Sequence, residues 1–445
     1  MQTPLNSRRT GQPGTAAPLS TLRCNPATAQ KSPHVNRQTP NQTVQSSRCK
    51  HSHPPRKNTS RTWQQRKLGE VTSSLSAGRS VNALDAYPGE EEVGVLKTSS
   101  VSDDSFNPHE SKTVVKDERG LVQCPVEAGT IIVSRMNTPE RVGSCGLVVK
   151  AQSNLYLPDR LWKLKLKSGT DSRFLHVLLT SNIYKSRIVR MATGTSGSMH
   201  NIPKDSFLDM RIVLPDIAEQ TRIGEFFRAL DDLIAAAKKK ADLLKLKKRY
   251  YLQAIFSQQL RFKGFTEPWQ QRKLGELLSV RKETTTTPTL YRIDIELENL
   301  QEDGGLVGDT TVRTNSTSVF RRGDVLFGRL RPYLRKWWLA TEPGIRSGEI
   351  WAIYSPSRVL ISSFVYALVQ SPIFLQVALI TSGTKMPRSD WENIASEAGS
   401  LPCSNDEQAR IGDFFNKLDN LIAASCRKIE LLERCKDAYL QLLFI

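Results

Sequence analysis

The octapeptide WQQRKLGE occurs twice, at Trp63–Glu70 and at Trp269–Glu276. Eight identical residues in one order do not arise twice by chance, so the chain carries an internal duplication. A second match closes what the first opens. LPDIAEQTRIGEFFRALDDLIAA runs from Leu214 to Ala236, and LPCSNDEQARIGDFFNKLDNLIAA from Leu401 to Ala424. Between these matching ends the two middles differ in sequence and length. A period of about two hundred residues is far too long for a solenoid, whose repeats run ~20–50 residues. The pattern is two domains built to one plan, with middles suited to different tasks. A chain of 445 residues accommodates two or three domains.

The matching ends read as helices. Ile223, Leu230, Ala237, Leu244 and Tyr251 are spaced by seven, and Ile411, Leu418, Ser425, Leu432 and Tyr439 hold the same places in the second copy. One flanking row adds Phe226 and Leu233 against Phe414 and Leu421. The other adds Phe227, Ile234, Ala241 and Ile255 against Phe415, Ile422, Ile429 and Leu443. An apolar stripe sustained over five heptads predicts a long helix with a coiled-coil seam. The small Ala237 and Ser425 allow close approach of two backbones. Asp216 and Ser404 are the expected N-caps. The lysines around Lys238–Arg249 read as a solvated face, with phosphate contact as the alternative.

The topology is then domain, helix, domain, helix. The expected bounds are a tail over 1–61, domains over 62–215 and 261–402, a central helix over 216–260 and a distal helix over 403–445. The fold class is α/β (α+β): two mixed α/β domains separated by two long antiparallel helices, with a pseudo-two-fold internal repeat. A helix of about 38 residues spans roughly 57 Å at ~1.5 Å per residue. Two readers held apart on that scale match dimeric DNA binders, whose half-sites lie one helical turn apart, roughly 34 Å, or a multiple of it. Because the readers differ, the target is expected to be bipartite and asymmetric.

Charge points to the same partner. The net charge is +19, and nine of the basic residues lie in residues 1–60, which contain no Asp or Glu. The remainder is therefore basic in its own right, as a phosphate-binding surface requires. Residues 1–60 hold eight prolines and no Phe, Trp, Tyr or Ile; such a segment cannot bury enough apolar surface to order itself, and it reads as a disordered basic tail. Seven scattered cysteines without a CxxC pair imply reduced thiols and a cytoplasmic location. No apolar run is long enough for a membrane span.

The middles supply candidate contacts. GTIIVSR (Gly129–Arg135) and GDVLFGR (Gly323–Arg329) read as buried strands. RFLHVLLTS and SFVYALVQS read as short helices, followed by the glycine-bearing loops GTSGSM and SGTKM. Behind the first strand come Arg135, Asn137 and Arg141; behind the second come Arg329, Arg331, Tyr333, Arg335 and Lys336. Arginine can read guanine and asparagine adenine, and alternating basic and aromatic residues suit phosphate and base contact. A strand edge with solvated arginines is the competing reading. The loops offer Thr195, Ser196, Ser198 and His200, and Thr384, Lys385 and Arg388; a plain surface turn competes there. Trp337 and Trp338 read as core. Glu219–Gln220 and Glu407–Gln408 serve helix starts or docking.

Catalytic and metal residues are not expected. The chain has no GxxxxGK[ST] loop, no HExxH, no Asn-Pro-Pro-aromatic motif and no glycine-rich cofactor loop after a strand. A stand-alone DNA-binding regulator and a coiled-coil adaptor between two protein-binding domains remain alternatives. Steep loss of DNA affinity with salt separates the DNA readings from the adaptor.

The repeated entry, the EQxRIGxFFxxLDxLIA helices and GDVLFGRLRPYLRKWW (Gly323–Trp338) resemble the specificity subunits of type I restriction–modification systems, over roughly Trp63–Ile445. The resemblance implies two target-recognition domains joined by an antiparallel coiled coil. It implies double-stranded DNA and two modification subunits as partners, with restriction subunits added. No cofactor is expected on this chain; S-adenosylmethionine, ATP and magnesium would be used by the partners.

Overall fold

The computed structural model describes residues 63–102, 105–196, 199–314, 316–382 and 385–444. The expected tail over 1–61 lies outside them. The chain divides into two compact units; among the described residues one holds 63–239 with 431–444, the other 240–430.

In the first unit the octapeptide is a clasp. Gln64–Lys67 pairs antiparallel with Arg211–Leu214, the strand that leads into the central helix. Leu68 and Val71 of the following turn of helix then drop into the core. In the second unit Gln270–Lys273 pairs in the same way with Ala398–Leu401, and Leu274 and Leu277 are buried. Gly275 is required by close approach: a side-chain carbon there would lie 2.7 Å from Ala395 Cβ and 2.9 Å from its carbonyl oxygen.

The divergent middles share one scaffold. The first unit has a four-stranded antiparallel sheet in the order Cys145–Leu147, Ile131–Ser134, Leu161–Leu166, Thr72–Ala77. The second repeats that order with Trp337–Leu339, Val325–Gly328, Ile350–Tyr354, Ser279–Val280. Alongside lies a second sheet. In one unit Gln152–Tyr156 runs parallel to Gly94–Leu96 and antiparallel to Pro125–Val126. In the other, Gly344–Arg346 runs parallel to Asp294–Ile295 and antiparallel to Ser318–Phe320. The first unit extends this sheet by Ala83–Leu84 and Ser111–Val114. Buried Ile131, Val133, Val325 and Phe327 fill the cores, as buried apolar strands should. Helices Ser172–Thr180 and Ser362–Val369 pack on them through Phe174, Leu178, Phe364 and Leu368.

The long helices are Ile217–Phe256 and Asn405–Leu443. Asp216 Oδ1 accepts the Glu219 N–H at 2.8 Å, and Ser404 Oγ accepts that of Glu407 at 3.4 Å, so both expected N-caps are in place. In the first unit the early central helix meets the late distal helix: Phe226 stacks edge-on against Tyr439, and Asp231 pairs with Lys436. In the second the late central helix meets the early distal helix, through Tyr251 against Phe414 and Lys248 with Asp419. Those contacts make the helices antiparallel.

The seam is rotated from the row read as its centre. Leu230, Ala237, Ile411 and Leu418 are buried, but Ile223, Leu244, Tyr251, Ser425 and Leu432 are half-buried and Tyr439 is largely exposed. The continuous buried row is Phe227, Ile234, Ala241, Lys248 and Ile255. Leu233 and Leu421 face outward, and Phe226 lies at the edge of the seam beside Tyr439. Lys248 thus corrects the reading of a wholly solvated lysine face: an aspartate on the facing helix makes its burial tolerable.

Each helix start docks on its own domain through the repeated Gln and Gly. Gln220 accepts the Asp171 N–H and donates to the Pro215 carbonyl; Gln408 accepts that of Ile361 and donates to Pro402 and Val359. A side-chain carbon on Gly412 would lie 2.6 Å from Ser363 Cβ. The octapeptide Trp holds the end of a long helix. Trp63, Phe174 and Phe444 form one edge-on aromatic cluster, and Trp269, Phe256 and Phe364 form its counterpart. Among the described residues no helix is long and apolar enough to cross a membrane, and no acidic, His or Cys cluster could hold a metal.

Candidate nucleic-acid interface

Each domain brings its two candidate stretches to one edge. Met136–Asn137, just past the core strand, pairs with Met199–Asn201, which pairs with Thr193–Ser196. In the second domain Leu330 bridges to Arg388, and Arg388–Ser389 pairs with Thr381–Ser382. The segment after the core strand and the loop after the helices are therefore neighbours in both.

An arginine anchors each edge. The Arg135 N–H donates to the Arg160 carbonyl, its carbonyl accepts from Ile202, and its guanidinium lies 5.8 Å over Trp162. Arg329 repeats this with Glu349, Ser389 and Trp351, at 5.4 Å. Cation–π contact of this kind is worth ~0.5–2 kcal/mol and holds the guanidinium in one pose. In both, Nε is buried and has no hydrogen-bond partner among the described residues.

Around these twin anchors the residues differ. In the first domain Arg141 is exposed on the turn after the edge strand, and His200 is half-buried. Asn137 is not presented as the sequence suggests. It is buried, its amide donates to Ser134 Oγ and its oxygen accepts from Thr138, so it shapes the turn. Thr195 and Ser196 lie in the third strand, while Ser198 and Thr384 lie outside the described residues. In the second domain Arg331 and Tyr333 are exposed on a turn entered and left by left-handed residues, Arg331 at φ 51° and Arg335 at φ 52°. Lys385 is exposed. Three candidates are held internally. Arg335 pairs with Asp303 at 2.9 Å and lies over Trp337. Lys336 donates to the Leu297 carbonyl, and burial pulls its pKa down. Arg388 makes a two-point pair with Glu349, whose carboxyl it holds below the usual range. Trp337 is core, as expected; Trp338 is half-buried against the second sheet.

Sequence reasoning missed Trp162, Trp351, Glu349, Asp303 and Lys248. Its one usable signal was a Trp at the matching place of each central strand, Trp162 opposite Val133 and Trp351 opposite Phe327.

The structure is thus a duplicated pair of α/β domains, each with an arginine-anchored edge and a share of two long antiparallel helices. Residues 60–246 match the family model of the type I restriction modification DNA specificity domain. The chain is 28% identical over 177 residues to the type I restriction enzyme EcoEI specificity subunit of Escherichia coli, covering 38% of this chain and 30% of that protein's length. The fold is similar to the type I restriction–modification S subunit from M. genitalium, with TM-score 0.57 and 17% identity over 88% of this chain and 98% of that one. It is similar too, at TM-score 0.50 and 15% identity, to a chain from a structure concerned with complex assembly and conformational transition of the type I R-M system, over 88% and 99%. Residues 60–246 thus carry a type I restriction modification DNA specificity domain, and the chain shares the fold of the solved S subunit.

Proposed function

We propose that the chain recognises double-stranded DNA for a type I restriction–modification complex. It reads a bipartite, asymmetric site and carries no chemistry of its own. Two modification subunits dock on it and methylate adenine with S-adenosylmethionine; restriction subunits add translocation and cleavage with ATP and magnesium. The observation that carries this reading is the twin Arg135–Trp162 and Arg329–Trp351 anchor set among unlike residues. Like anchors suit the uniform phosphate backbone, and unlike neighbours suit two different base sequences. The antiparallel helices, 40 and 39 residues long, would set an unread spacer between the half-sites.

The test is co-expression with the modification subunit and genome-wide mapping of methylated adenine. A bipartite motif is expected, and deleting one heptad from both helices should shorten its spacer. A single uninterrupted motif, or none, overturns the reading. Arg135→Gln and Arg329→Gln should each weaken all sequences alike and reduce the salt slope by about 1.

A further inference from the structure

The duplication keeps one ion pair in both helix halves. Lys248 with Asp419 and Lys436 with Asp231 occupy the same two positions of the repeat. Their surroundings differ. The Lys436 and Asp231 side chains are 32% and 50% exposed, and the pair lies on the helix surface. The Lys248 side chain is 6% exposed and Asp419 22%. Asp419 also stands beside the Tyr366 hydroxyl, and burial pushes its carboxyl up against the pull of Lys248.

Only the buried pair leads further. Lys248 Nζ reaches the Asp303 carbonyl at 3.4 Å. Asp303, left-handed at φ 57°, holds Arg335 at both ends. Its N–H donates to the Arg335 carbonyl at 2.8 Å, and its carboxylate accepts from Arg335 Nε at 2.9 Å. Two residues on, the Gly305 N–H donates to the Trp337 carbonyl. A buried lysine on the long helix therefore backs the loop that fixes the exposed turn from Arg331 to Arg335.

We propose that Lys248 and Asp419 are positioning residues for DNA recognition: through Asp303 they fix the Arg331–Arg335 turn and so set base discrimination in one half of the site only. This rests on the reading above, that the turn meets DNA. The lysine at the repeat-equivalent place, Lys436, has no such role. The coiled coil is then a backing plate for one recognition domain as well as a spacer.

The experiment uses the full chain with its modification subunit and duplexes scrambled in one half-site or the other. Wild type comes first. If it discriminates neither half, the function proposed above falls, and this inference with it. Given wild-type discrimination, Lys248→Met should lower it in one half by roughly tenfold, the scale of one misplaced base contact. That half should be the one that Arg331→Ala affects. Lys248→Arg should restore it, and Lys436→Met should leave both halves unchanged. In an Arg335→Gln background Lys248→Met should add little, since both act through one contact. Amide exchange without DNA gives a second readout: Asp303 and Gly305 should exchange faster in Lys248→Met and not in Lys436→Met. Should Lys248→Met fail to fold, Asp303→Asn keeps the volume and should produce the same one-sided loss. Equal loss in both halves, or loss in neither, overturns the proposal.

Discussion

The two α/β domains agree where they touch the long helices and differ where they face outward. Each closes with the same clasp, Gln64–Lys67 on Arg211–Leu214 or Gln270–Lys273 on Ala398–Leu401. Each seats a helix start with a buried Gln and a crowded Gly, and a helix end with a Trp-centred aromatic cluster. Away from the helices one domain has five strands in its second sheet and the other three. The lesson is about constraint. Seating a helix on a domain requires specific close contacts, which tolerate little change. Under the proposed function, a surface that meets different DNA sequences has to change.

The largest expected effects test whether the two seats are energetically alike. Phe227 and Phe415 are fully buried at equivalent places in the two helix starts. Truncation of each to Ala should cost about 3–5 kcal/mol, from lost transfer energy and the cavity left behind. Amide exchange should place the loss in the unit that contains the mutation. If either variant costs less than about 1 kcal/mol, that helix start is not anchored through its Phe, and the symmetry of the seats breaks.

A smaller effect separates the seats. A carbon on Gly224 would meet Arg173 Cβ at 2.9 Å, and Asp171 Oδ1 and the backbone nitrogen of Phe174 both at 3.0 Å. On Gly412 it would meet Ser363 Cβ at 2.6 Å and the Ser363 carbonyl carbon at 2.7 Å, where backbone must move. Gly412→Ala should therefore destabilise more than Gly224→Ala, within the roughly 1–3 kcal/mol typical of overpacking. Denaturant midpoints of the two variants check the order; a reversed order would show that the Arg173 side has less room to give than the Ser363 side.

How far these features could be read from sequence follows the same division. The paired helices and their antiparallel course were legible because the duplication repeats them and heptad spacing marks an apolar stripe, though not which row is central; that the octapeptide pairs with the strand before each helix was not, because the pairing joins segments far apart in sequence. The core strands Ile131–Ser134 and Val325–Gly328 were legible because apolar runs after a glycine turn are locally encoded. The site was less so. Trp162 and Trp351 come under their arginines through cross-strand register, which no local pattern encodes. Asn137 reads as a base contact by residue type, yet Ser134 three residues earlier takes its amide. Lys248 lies among lysines that are solvated; only Asp419 on the facing helix singles it out.

The smallest effect concerns pH and arises because one position differs between the domains. The residue whose carbonyl receives the anchor arginine N–H is Arg160 in the first domain and Glu349 in the second. Glu349 also grips Arg388 of the edge strand, and that hydrogen bond above all, then Arg388 and Arg329 charge, holds its pKa below the ordinary glutamate value of 4.5. A carboxylate whose folded pKa is depressed contributes stability fully above its unfolded value and loses it as pH falls through the folded one. The second edge should therefore loosen as pH falls below about 4.5, whereas the first has no carboxylate at this place to protonate. Both side chains of the pair are about a third exposed, so solvent screening keeps the contribution under about 1 kcal/mol. Protection of the Ser389 amide, its exchange measured against the intrinsic rate at each pH, should fall relative to that of Ile202 on acidification in wild type. Glu349→Gln should show the lower protection already at neutral pH and little further change in it with acid. Matched acid responses at Ser389 and Ile202 would mean that strand pairing, not the Glu349–Arg388 tie, holds both edges.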